Sequence, residues 1–166
     1  MKKILFLFGA LLFSGIVFAQ NEKSSDQPLP KVYNEQIDGM VQIEQAVAQA
    51  RKEGKQVLLQ VGGNWCPWCL RFADFAVKDS AIAAVIEKHY VYVHLNTSKA
   101  NKNLKALQYL ENPGRFGYPV FVILDENGKR LHTQNSAYLE EGKGYNEKKV
   151  VDFLLNWTKV AINTIK

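Results

Sequence analysis

Cys66 and Cys69 are the only cysteines of this 166-residue chain, and they stand in a single Cys-x-x-Cys motif, Trp65-Cys66-Pro67-Trp68-Cys69. Two thiols at this spacing can close a disulfide within one turn of chain. Placed at a strand-to-helix junction, the first of them meets a helix N-terminus, where the thiolate is favoured. That chemistry is thiol–disulfide exchange. A purely structural bridge is the nearest rival, but closing so short a loop contributes only about 2 kcal/mol in the chain-entropy model, and a domain of this size needs no staple. Metal binding is the second rival. One Cys-x-x-Cys supplies two zinc ligands, no second pair exists, and His89, His94 and His132 fall on different elements without ligand spacing. Leu70 rather than histidine follows Cys69, which excludes covalent haem attachment. No metal and no cofactor is expected.

The elements that must position the pair are legible around it. Gln56 to Val61 is rich in Val and Leu and bounded by Gly62-Gly63, as for a strand buried on both faces. Pro67 suits the first turn of the helix that follows, because its missing N–H is not needed there. The pattern Leu70, Ala73, Phe75, Val77 carries that helix toward His89, with Asp79-Ser80 as a point of division. Upstream, Asp38 caps a helix over Gly39 to Glu53, with Met40, Ile43, Val47 and Ala50 on its apolar face and Gly54 as its stop. Downstream, Tyr90 to Asn96 alternates as a strand, with Tyr92 and His94 on one side. A helix is predicted over Lys99 to Leu110, then a strand from Pro119 to Leu124. A turn at Asp125-Glu126-Asn127-Gly128 leads into a return strand, Lys129 to Thr133. Asn146 caps a last helix from about Glu147, with Val150, Phe153, Leu154, Trp157 and Val160 facing inward. A short extra strand is allowed near Val32 to Gln36. This order predicts an α/β fold, a mixed central sheet flanked by helices on both faces.

Met1-Lys2-Lys3, the apolar run Ile4 to Phe18 and the small-residue site Val17-Phe18-Ala19 have the form of a secretory signal peptide over residues 1–19. An uncleaved anchor is disfavoured because the run is short for a bilayer span. Residues 20–31, polar and ending in Pro28-Leu29-Pro30, are expected to form a flexible linker, and residues 32–166 one domain. The bacterial periplasm or a secreted location follows, an oxidising setting in which a Cys-x-x-Cys pair rests oxidised unless a partner reduces it. The formal charge of +5 falls to +3 once Lys2 and Lys3 are removed. Without a basic run interleaved with aromatics, that surplus excludes nucleic acid as a partner.

From about Gln42 to Asp152 the chain resembles the thioredoxin superfamily, in particular its exported single-domain thioredoxin-like proteins. The likeness rests on three features in order. A strand delivers Trp65-Cys66-x-x-Cys69, Pro119 follows Tyr118 at the start of a later strand, and Asp125-Glu126-Asn127-Gly128 turns a hairpin. The resemblance implies a thioredoxin-like fold and a thiol–disulfide oxidoreductase. It also implies that Pro119, by itself an ordinary proline at a strand start, has a cis peptide bond and packs beside Cys66 and Cys69. The Tyr118 backbone would then be available to pair with an extended substrate.

In the family's mechanism the Cys66 thiolate attacks a substrate disulfide and Cys69 resolves the mixed disulfide. Pro67-Trp68 matches neither the Gly-Pro of reducing thioredoxins nor the Pro-His of strong envelope oxidases, so the direction is open, with a lean to reductase or isomerase. Trp65 and Trp68 are expected to bracket the thiols and, with Pro67, Tyr118 and Pro119, to receive a protein or peptide substrate. A membrane or soluble redox partner would reset the pair, and a monomer is expected. Two positions depart from thioredoxin: Gln60 stands where the family has a buried aspartate, and His94 where it has a lysine. Neutral Gln60 neither opposes the Cys66 thiolate nor relays a proton, so a more acidic Cys66 is implied. His94 or water takes over the relay, or His94 is a structural histidine bonded to Gln60. The competing function is a redox-inactive binding module that uses the Trp65, Trp68 and Tyr118 surface, its disulfide structural.

Overall fold

The structure is a computed structural model, described here over residues 28–164; the expected signal peptide of residues 1–19 and most of the expected linker of residues 20–31 lie outside the described residues. The chain first forms α1 (Gly39–Glu53), where the Asp38 carboxylate accepts from the Met40 and Val41 N–H groups and Gly54 closes the helix at φ 69°. Strand β1 (Gln56–Gly62) follows and is buried along its whole length. Helices α2 (Pro67–Lys78) and α3 (Ser80–His89) come next. Asp79 separates them, ending α2 through its N–H and capping α3 through its carboxylate. Strand β2 (Tyr90–Asn96), helix α4 (Leu104–Tyr109) and strands β3 (Val120–Leu124) and β4 (Arg130–Asn135) complete the central layer. A small hairpin, β5 (Glu140–Glu141) and β6 (Gly144–Tyr145), leads to α5 (Glu147–Asn156) and α6 (Lys159–Asn163).

The main sheet runs β2-β1-β3-β4. β1 and β2 are parallel, with Gln60 opposite His94; β3 is antiparallel to both β1 and β4. Strand alternation divides the core in two. Val57, Leu59, Val61, Val91, Leu95, Val120, Val122 and Leu124 pack against Ile43, Ala46 and Ala50 of α1 and Ala106 of α4. On the opposite face Leu58, Tyr90, Phe121 and Ile123 pack against Phe72 and Ala76 of α2, Ile82 and Ile86 of α3, and Val150, Phe153 and Leu154 of α5. Gln60, Gly62, Tyr92 and His94 share this second face by parity, so α2 comes down over them.

Several expectations need correction. The helix over Lys99 to Leu110 shrinks to α4. Before it, Ser98 and Asn101 bond each other, Asn101 donates to the carbonyls of Glu35 and Ile37, and Asn103 sits at φ 49°. Asparagine side chains thus compete with helical hydrogen bonds and win. No strand forms at Val32 to Gln36; side chains of Asn64 and Asn101 hold that segment instead of a ladder. The last helix breaks after Asn156, and Thr158 caps α6 separately, turning Val160 out to 70% exposure. Val77, near the end of α2, is likewise exposed. Trp157 is half-buried, its indole stacked on the His132 ring at 4.2 Å.

Candidate redox site

β1 ends at Gly62, and the short turn that follows is closed by the Cys66 N–H donating to the Gly63 carbonyl at 3.0 Å. Cys66 is the N-cap of α2, with extended backbone, and Pro67 occupies the first turn. The Cys66 carbonyl accepts from the N–H of Cys69 at 3.0 Å and of Leu70 at 3.2 Å, and its Sγ also accepts from the Cys69 N–H at 3.2 Å. A sulfur so placed receives an amide dipole that stabilises negative charge. Cys66 and Cys69 are joined as a disulfide with Cα atoms 5.2 Å apart, within the ordinary range for a bridge. The two are unequal in access: Cys66 keeps 5% of its surface open, Cys69 none.

The surroundings of the pair come from four other parts of the chain. Tyr118, just before β3, packs on the cysteines, and the Tyr118–Pro119 peptide bond is cis. Trp65 is 54% exposed, anchored by its indole N–H to the Thr97 carbonyl at 2.8 Å and edge-on to Tyr118 at 5.4 Å. Trp68 is the more covered of the two tryptophans. It lies edge-on to Tyr145 of β6, whose hydroxyl donates to the Trp68 carbonyl at 3.1 Å, and the Arg71 guanidinium sits over its ring at 5.0 Å. That contact turns Arg71 to the indole. Beyond Trp65 a groove of about 770 Å³ opens toward Thr97, Lys99, Leu104 and Leu107, with Glu35 at its border.

Beneath the cysteines lies a polar cluster. The Gln60 amide donates to the Cys69 carbonyl at 2.8 Å and to the Tyr33 hydroxyl at 2.6 Å, while its Oε1 accepts from the Tyr92 hydroxyl. These bonds use both amide hydrogens; Gln60 makes no side-chain bond to His94, whose Nε2 is buried without a partner among the described residues. The His94 ring is instead packed between Tyr33, edge-on at 5.4 Å, and Tyr92 at 4.6 Å. Burial pushes its pKa down to about 4. Burial likewise raises the Tyr33 and Tyr92 hydroxyls well above the usual phenol range. Gln60, bonded to the Cys69 carbonyl, and His94, packed on Tyr33, are therefore both neutral and are joined to each other by strand pairing alone.

The sequence profile of the thioredoxin-like family matches residues 38–126. The chain belongs to the thioredoxin-like family. Among solved structures, this thioredoxin-like chain is similar to the disulphide isomerase from Xylella fastidiosa Temecula1, with 27% identity and a TM-score of 0.67, covering 77% of this chain and 97% of that one. It also shares its fold with a thioredoxin-fold protein from Helicobacter pylori, at 16% identity and a TM-score of 0.51, over 77% and 86% of the two chains. The thiol:disulfide interchange protein DsbD of Actinobacillus pleuropneumoniae serotype 5b (strain L20) is 22% identical over 127 residues. That match covers 76% of this chain and 21% of the relative, so the chain spans about a fifth of that protein's length. The Cys66–Cys69 bridge at the head of α2 gives this thioredoxin-like chain a Cys-x-x-Cys pair whose geometry allows thiol–disulfide exchange.

Sequence reasoning missed Tyr33, Asn64, Tyr92 and Tyr145 as parts of the site. Asn64 is the organiser: its Oδ1 accepts from the Val32 and Tyr33 N–H groups, both at 3.1 Å, and its Nδ2 donates to the Tyr33 carbonyl at 2.8 Å. It thereby straps the segment before α1 against the motif turn. The signal available was an asparagine directly before Trp65-Cys66, a residue type that bonds backbone in turns. For Tyr33 and Tyr145 no local signal exists.

Proposed function

We propose that this chain is exported to the bacterial cell envelope and exchanges disulfides with protein substrates, working as a reductase or isomerase. The reduced Cys66 thiolate attacks a substrate disulfide, giving a Cys66–substrate mixed disulfide and one free substrate thiol. Cys69 then attacks the Cys66 sulfur, restoring the Cys66–Cys69 bridge and releasing the second thiol. The observation that carries this reading is the inequality of the sulfurs. Cys66 reaches solvent at the head of α2 and accepts an amide hydrogen, while Cys69 is sealed behind it. Trp65, Pro67, Trp68, Tyr118 and Pro119 form the rim that receives the substrate, and an extended segment pairs with the Tyr118 backbone. The relatives described as a disulphide isomerase and a thiol:disulfide interchange protein support the same direction. A membrane or soluble donor reduces the bridge between turnovers, and the chain acts as a monomer. The apolar run at the N-terminus supports export, with a mature chain starting near Gln20.

Reduction of insulin by the parent protein and by Cys66→Ser tests the exchange, with Cys69→Ser used to trap the mixed disulfide. Turnover by the parent, none by Cys66→Ser, and a trapped adduct through Cys66 are expected. Inactivity of all three with no adduct would leave a binding module with a structural bridge. The equilibrium of the bridge with glutathione reads the direction, and N-terminal sequencing of protein from the envelope fraction reads the export.

A further inference from the structure

Resolution of the mixed disulfide needs Cys69 as a thiolate, yet Cys69 is fully buried, and burial disfavours that charge. The face beneath it carries no carboxylate among the described residues: position 60 is glutamine, and Tyr92 and His94 stand beside it. What the structure does supply is a hydroxyl. Tyr33 is 4% exposed and packs in one cluster with Cys66 and Cys69. A Cβ built on Gly62 would stand 2.5 Å from the Cys69 Sγ and 3.0 Å from the Tyr33 hydroxyl, so the sulfur and the oxygen flank a single point. The hydrogen-bond arithmetic around Tyr33 is one-sided. Its oxygen accepts from the Gln60 amide, and the reverse is impossible because the Gln60 atom facing it also donates to the Cys69 carbonyl, which fixes that atom as the amide nitrogen, a donor only. The Tyr33 proton therefore points away from Gln60, and among the described residues it has no recorded acceptor.

We infer that Tyr33 is the hydrogen-bond donor to the Cys69 sulfur in the reduced protein, holding the resolving thiolate that the family's buried aspartate position, here Gln60, does not serve. This rests on the proposed exchange reaction. In the resolving step the Cys69 thiolate attacks the Cys66 sulfur, the Cys66–substrate S–S bond breaks with its electron pair on the substrate sulfur, and the proton lost by Cys69 ends on that leaving thiol. Tyr33 gives up no proton; it orients and stabilises. Its elevated phenol pKa keeps it a donor throughout. The other titratable groups facing this pocket are Tyr92 and His94 from β2, Tyr145 from β6 and Cys66 itself. The tyrosines stay protonated and His94 stays neutral at ordinary pH. No group other than the thiols titrates there between about pH 5 and pH 9.

Reduced Cys66→Ser protein, titrated by thiolate absorbance, reads Cys69 alone. Adding Tyr33→Phe, which keeps the ring and removes the donor, is expected to raise the Cys69 pKa by about one unit, a ~tenfold loss of thiolate at a given pH below it. With Cys66 intact, single-turnover mixing of Tyr33→Phe with an oxidised protein substrate should show the mixed disulfide persisting ~tenfold longer at such a pH, with the rate of Cys66 attack unchanged. The orphaned Gln60 amide would lower stability but would not by itself move a sulfur titration. Should Tyr33→Phe fail to fold, 3-fluorotyrosine at position 33, a stronger donor of nearly the same shape, is expected to lower the Cys69 pKa. An unmoved Cys69 titration in a folded variant overturns the assignment. The titration needs no substrate, so its failure leaves the exchange reaction standing, and a parent protein inactive on insulin sinks that reaction without touching the titration.

Discussion

Gly62 lies directly beneath Cys69: a Cβ on Gly62 would stand 2.5 Å from the Cys69 Sγ and 3.4 Å from its Cβ. Both residues are fully enclosed, one on β1 and one on α2, so the last residue of the strand sets how closely the helix bearing the redox pair approaches the sheet. Gly62→Ala is expected to push α2 off the sheet at a cost of about 1–3 kcal/mol, as for other overpacked core sites. A denaturant midpoint unchanged from the parent would show that α2 adjusts freely.

His94 makes acid stability a local property. Its pKa is about 4 in the folded chain against about 6.5 when unfolded. Between those values the unfolded chain takes up a proton that folded His94 refuses, so stability is complete above pH ~6.5 and falls as pH drops toward ~4. The loss reaches up to about 3 kcal/mol. His94→Leu orphans no partner, since the buried Nε2 has none. Unfolding measured across this window should therefore fall less steeply with acid in His94→Leu than in the parent; equal slopes would show that His94 ionises in place.

Trp65 presents surface without carrying the fold. It is 54% exposed and tied down by one bond to the Thr97 carbonyl and an edge contact with Tyr118. For Trp65→Ala we expect kcat/KM toward a protein disulfide to fall about tenfold, the equivalent of ~1.4 kcal/mol, with turnover of a small aromatic disulfide little changed. Equal losses on both substrates would place Trp65 in the chemistry rather than in docking.

Asp79 holds the corner between α2 and α3. Its carboxylate accepts from the Ala81 and Ile82 N–H groups, each at 3.0 Å. Asp79→Ala should cost about 1 kcal/mol and lower the melting temperature by about 3 °C, and Asp79→Ser should recover most of it. Thermal unfolding followed by circular dichroism reads both, and a Ser variant no better than Ala would mean that the carboxylate acts other than as a cap.

The elements nearest the cysteines were legible because each rests on a local rule. α1 begins and ends where Asp38 and Gly54 put it, Pro67 opens α2, and the period-two pattern of Tyr90 to Asn96 sets β2. The segment from Lys99 to Asn103 was not, because Leu104, Leu107 and Leu110 carry a helical period while the asparagines before them bond backbone elsewhere in the fold. Likewise the relative exposure of the two tryptophans was out of reach: Tyr145, contributed by the β5–β6 hairpin, covers Trp68 and leaves Trp65 open.

By itself the sequence determined the redox pair, its place between a buried strand and a proline-opened helix, and the α/β order around it, since nearest-neighbour geometry and hydrophobic period fix such features. Tertiary structure alone decided what surrounds the buried sulfur. Tyr33 and Tyr92 reach Gln60 from distant parts of the chain, Gln60 in turn reaches the Cys69 carbonyl, and which hydroxyl takes which amide site depends on packing across the sheet. A side-chain hydrogen bond between such residues leaves no periodic trace along the chain, so it exists for a reader only once the layers have closed.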